Sequence, residues 1–92
     1  MSMFTKNREF IVEEKDVTTV LGVMNRHLRC YYSLQVGNCG WAGELANKWF
    51  IMFDSSDRQY NKIVKSLSEI GEFKLDIRPK GDVDLCFERK SN

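Results

Sequence analysis

The feature that most constrains this chain is a repeated change of hydrophobic period. Two stretches of helical period are each framed by stretches of strict alternation. Val17, Val20, Leu21, Met24 and Leu28 recur at helical spacing, with Asp16 placed as an N-cap, which predicts a helix over 17–28. Tyr60, Ile63, Val64, Leu67 and Ile70 form a second stripe. Ser56 and Gln59 have the spacing of a capping box ahead of it, and Gly71 stands where a left-handed residue would close it.

The intervening segments read as strands. Residues 9–14 (EFIVEE), 29–36 (RCYYSLQV) and 45–53 are rich in β-formers, and the last two alternate. Phe73, Leu75 and Ile77 alternate, as do Val83, Leu85 and Phe87, with the turn signal RPKG at 78–81 between them. The order is strand, helix, strand, strand, helix, strand, with a further C-terminal strand if that turn closes a hairpin. This βαββαβ order resembles the ferredoxin-like α+β sandwich. The resemblance implies two layers, with two helices on one face of an antiparallel sheet. It covers about 9–89 in element order alone and implies no activity.

Ninety-two residues suffice for one domain with one two-layer core, expected to be ordered over 9–89. The net charge of +1 is no footprint for bulk attraction to nucleic acid or membrane. The first fifteen residues lack the apolar segment of a signal peptide, and the longest apolar run, 49–53, is too short to span a bilayer. Three cysteines, an odd count, suggest no disulfide framework. The expectation is a cytoplasmic protein.

Sites of chemistry are sparse. The stretch QVGNCGWA is similar to the segment around the nucleophile of papain-like proteases, with Gln35 ahead of Cys39. It lacks that family's second cysteine, and no histidine follows Cys39. The single histidine, His27, precedes it, and a cysteine nucleophile needs a base within reach. His27 and Cys30 form one close pair, but Cys39 and Cys86 lack the paired spacing of a zinc site. GNCGWAG matches no phosphate-loop spacing. No cofactor, metal or enzymatic activity is therefore expected. A hydrolase built on Cys39 and His27 is the enzymatic rival.

Two features point to binding. Trp41 sits in a glycine-rich stretch, 36–49, between two expected strands, with Asn38, Cys39 and Glu44 around it. A tryptophan between small residues either folds back on its own loop or anchors a partner. Arg58, Lys62 and Lys65 form a basic stripe on the second helix. A solvated face explains such a stripe, and so does docking to an acidic partner. The expected partner-binding residues are Asn38, Cys39, Trp41, Glu44, Arg58, Lys62 and Lys65. The expected function is a small non-enzymatic adaptor, regulator or inhibitor acting through protein–protein contacts. The alternative is a nucleic-acid-binding module using the sheet and the basic stripe. Residues 46–53 (ANKWFIMF) stand where RNA-recognition domains carry an octamer, and 50–53 resemble its end while 46–49 depart from it, with Ala46 for the basic residue and Lys48 for a stacking aromatic; the resemblance implies base stacking by Phe50. A sheet face left open by the helices could also be covered by a second copy.

Overall fold

In the computed structural model the described residues are 5–28, 34–39, 47–77 and 83–90. They form one mixed sheet and two helices. The elements are β1 (Lys6–Glu13), a 3₁₀ turn (Glu14–Asp16), α1 (Val17–His27), β2 (Gln35–Asn38), β3 (Lys48–Ser55), α2 (Asp57–Ser68), β4 (Gly71–Ile77) and β5 (Val83–Arg89). No helix among the described residues is long and apolar enough to cross a membrane. Residues 29–33, 40–46 and 78–82 lie outside the description. Trp41 and Glu44, and much of the strand expected over 29–36, fall there.

The sheet order is β2-β3-β1-β5-β4. β1 pairs antiparallel with β3 along its whole length, from Lys6 opposite Ser55 to Glu13 opposite Lys48. β2 and β3 are antiparallel, as are β4 and β5. β1 and β5 run parallel, with Ile11 beside Cys86 and Val12 beside Phe87. This corrects the ferredoxin-like expectation of an all-antiparallel sheet. There, the strand after the second helix would lie beside β1. Here that strand, β4, is at the edge, and its hairpin partner β5 takes the central slot.

The side chains explain the exchange. The side chains of a strand inside the sheet are flanked by those of two neighbours, so apolar groups lose more contact with water there than at an edge. β5 offers Phe87 and Leu85 to one face and Cys86 to the other. β4 offers Phe73, but Glu72 and Lys74 are exposed and Leu75 keeps 69% of its surface in water. Charged, short edges resist pairing with foreign strands.

Both helices pack on the face that carries Phe10, Val12, Ile51, Phe53 and Phe87. Val20, Met24 and Leu28 of the first stripe are buried there, joined by Val23, with Val17 and Leu21 at the margin. Ile63 and Leu67 come from α2, flanked by Tyr60, Val64 and Ile70 as the periodicity predicts. Phe10 is the hub: its ring centroid lies 5.4 Å from that of Phe53, 5.3 Å from Phe73 and 5.9 Å from Tyr60. Tilted aromatic pairs of this kind add about 0.5–1.5 kcal/mol beyond their buried area.

Two arginines fasten the helix starts to the sheet. Ser56 and Gln59 form the capping box of α2. Arg8 then donates to Asp57 at 2.5 Å and lies 4.3 Å above the Tyr60 ring. At α1, Asp16 occupies the N-cap position, but its side chain caps nothing. It is 1% exposed and accepts from Arg89 Nε at 2.9 Å, while Arg89 also donates to Thr19. Gly71 also departs from expectation. It is the first residue of β4, not a left-handed cap, and a Cβ there would strike the Phe87 ring and the Glu88 carbonyl.

Candidate functional site

Alternation along the paired strands separates the helix-covered face from a second face. Register places Ile11 of β1, Phe50 and Met52 of β3, and Cys86 of β5 together on that second face. None of them belongs to the core cluster. Among the described residues, neither helix packs on this side. Ile11 is only 3% exposed, with Phe50 in register on one flank and Cys86 on the other. Phe50, Met52 and Cys86 are half-buried. The result is an apolar strip crossing three central strands.

Gly37 of β2 is part of this geometry. It stands opposite Phe50, and a Cβ there would come within 2.7 Å of the Phe50 ring. The missing side chain leaves room for the ring to approach the β2 backbone, and the strand runs into the glycine-rich stretch expected to be loop.

Charges rim the strip. Glu9 and Glu13 flank Ile11 along β1, and Asp54 follows Met52 on β3. Glu72 and Glu88 stand directly opposite each other on β4 and β5. Lysines stand among them: Lys48 lies 3.6 Å and Lys15 3.3 Å from Glu13, Lys74 donates to Glu88 at 2.8 Å, and Lys90 lines a concavity with Glu72 and Glu88. The hydrogen bond from Lys74 holds the Glu88 carboxyl below its ordinary range, with help from the charges of Lys74 and Lys48. The same bond raises Lys74 above the ordinary ammonium range. Of the five carboxylates on the described strands of this face, Glu13, Glu72 and Glu88 thus have ammonium groups beside them.

The residues singled out from sequence are dispersed. Arg58, Lys62 and Lys65 are exposed on α2, in the layer on the other side of the sheet. Asn38 ends β2 opposite Trp49, and the Cys39 backbone N–H donates to the Lys48 carbonyl at 2.9 Å. His27 at the end of α1 is hydrogen-bonded through Nε2 to Ser66 of α2 at 3.0 Å. Cys30 lies outside the description, and no group of three metal-ligating side chains assembles among the described residues.

Besides a concavity of about 360 Å³ lined by Glu72, Glu88, Arg89 and Lys90, two more are lined largely by polar residues. One, of about 520 Å³, is lined by Glu13, Glu14, Lys15, Asn47 and Lys48. Its Glu13 carboxylate is already held by Lys15 at 3.3 Å and Lys48 at 3.6 Å. The other, of about 390 Å³, lies between the helices and includes Thr18, Arg26, Ser66, Glu69 and Arg89. The Ser66 of the second is the residue whose hydroxyl is hydrogen-bonded to His27 Nε2. Phe50 was legible from sequence as a member of an open sheet face, but Ile11, Cys86 and the carboxylates beside it were not, because their arrangement exists only across strands. EFIVEE and ANKWFIMF contain its parts, but nothing in them states their register.

Comparison with family models, with curated protein sequences and with solved structures gives no match.

Proposed function

We propose that this protein is a non-enzymatic binding module that works through protein–protein contacts, as an adaptor, regulator or inhibitor of a larger protein. Its docking surface is the sheet face opposite the helices. The observation that carries this reading is the apolar strip of Ile11, Phe50, Met52 and Cys86 on a face that neither helix covers. Interface cores are depleted in charge and rimmed by polar groups, and this face has that plan. Trp41, three residues beyond the end of β2, is the second expected anchor.

The nucleic-acid alternative draws on Phe50, which can stack on a base, and on the α2 cations. The two lie in different layers. Phe50 shares its face with five carboxylates, which repel phosphate.

The test is photo-crosslinking in cells, with the reactive residue placed at Gln35 on the open face or at Lys62 on α2, after nuclease treatment. The expected result is a discrete protein adduct from Gln35 that disappears in a folded Phe50→Ala variant. Adducts from Lys62 alone would reject the open face as the docking surface.

A further inference from the structure

Independently of that docking reading, we propose that the edge strand β4 pairs antiparallel with β4 of a second copy, about a two-fold axis at Leu75. The two five-stranded sheets then run on as one. β4 is the longer of the two sheet edges, with seven residues against the four of β2. Among the described residues no strand pairs with its outer side. The outward N–H and C=O groups of such an edge are a template for another strand.

The sequence of this edge selects its own copy. From Glu72 to Arg78 it reads EFKLDIR, in which apolar residues alternate with charges of alternating sign. Read backwards about Leu75, the apolar positions coincide and every charge changes sign. Antiparallel pairing about that residue sets Lys74 opposite Asp76 twice, Phe73 opposite Ile77 twice, and Leu75 opposite itself. Opposite charges facing across a ladder stabilise it, and like charges do the reverse.

Neighbouring arrangements match less well. A parallel pair puts each charge beside its own copy. An antiparallel pair centred on a charged residue sets that charge against itself. Centring on Phe73 matches Glu72 with Lys74, but leaves Leu75 across from Gly71, which has no side chain, and Asp76 across from Ile70.

The structure fits the Leu75-centred register. Leu75 keeps 69% of its surface in water, against 37% for Val36, the other exposed large apolar residue among those described. One exposed leucine is ordinary on a surface. This one lies at the centre of the charge pattern. Lys74 already donates to Glu88 at 2.8 Å, and Lys90 lines the concavity that holds Glu72 and Glu88. An ammonium group has three donors, so Lys74 can hold Glu88 and the partner's Asp76 together. In strand addition the main chain supplies affinity and the side chains choose the partner. The charges that turn away foreign strands thus admit a second copy. With the axis normal to the sheet, both helix layers share one side and both open faces the other.

The test is sedimentation of the whole protein over a concentration series, with circular dichroism to check folding. The wild type is expected to dimerise. Lys74→Asp and Asp76→Lys each set like charges across the axis and weaken the dimer at least tenfold. An equimolar mixture of the two variants restores it, because each then meets the opposite charge. The double variant Lys74→Asp with Asp76→Lys restores it as well. Leu75→Lys, at a position mostly in water, abolishes the dimer and serves where a charge variant does not fold. Phe50→Ala on the open face leaves it intact.

A wild type that stays monomeric at millimolar concentration overturns the proposal. So does a dimer that both charge variants leave unchanged, or one broken by Phe50→Ala, which would put the contact on the open face. Sensitivity to Lys74→Asp but not to Asp76→Lys rejects the register. Loss in both variants without recovery in the mixture means that these charges act within one chain and not across the axis.

Discussion

The two faces of the sheet are built from the same strands, yet they answer to different physics. On the helix side, Phe10, Val12, Ile51, Phe53 and Phe87 are closed into a core with little polar content. On the open side, a similar set of strands interleaves Ile11, Phe50 and Met52 with Glu9, Glu13 and Lys48. One side is a finished interior. The other has an apolar centre with a charged margin, which is the plan of an interface core and rim. Alternation alone decides, one residue apart along β1, whether a side chain joins the core or the opposite face.

The largest way to break this comparison is Phe10→Ala. It removes the hub of the aromatic cluster and is expected to cost about 3–5 kcal/mol by chemical denaturation. Asp16→Ala comes next, at about 1–3 kcal/mol, because Arg89 loses its buried acceptor while staying partly in water. Gly71→Ala, which must displace backbone at Glu88, is expected to cost a similar 1–3 kcal/mol.

Phe50→Ala sharpens the comparison. It is expected to cost only about 1–2 kcal/mol, since its ring is half-buried, while removing partner binding. A loss equal to that of Phe10→Ala would make the open face part of the core instead.

The smallest effect is a pH dependence on the helix side. The Arg8 hydrogen bond, then that of Lys6, holds Asp57 below the usual carboxylate range. A depressed carboxyl contributes stability that is present above its unfolded range and lost as pH falls through it, from about pH 5 downward. Asp57→Asn should slightly flatten the acid limb of a stability–pH curve.

Much of the helix layer was legible because its signals are local. The stripes of α1 and α2, the capping box and the solvent-facing Arg58, Lys62 and Lys65 all follow from spacing within a few residues. What failed was long-range. Asp16 looked like a cap because nothing nearby announces Arg89, its partner at the far end of β5. Gly71 looked like a helix terminator, although the reason for glycine there is the approach of Phe87 and Glu88. β4 and β5 alternate equally well, so periodicity did not decide which would enter the centre of the sheet. The candidate face suffered most, since its members become neighbours only through that strand order.

The parallel pairing of β1 with β5 has a consequence for biosynthesis. β1 is made early, and β3 can occupy one of its edges soon after. Its other edge, beside the apolar run Phe10-Ile11-Val12, stays unpaired until β5 has left the ribosome. At about 5–20 residues per second, that leaves a sticky strand edge open for several seconds in every nascent chain. The protein should therefore depend on chaperones while it is being made more than its small size suggests, and ribosome-bound chains stalled before Val83 should cross-link to them through β1.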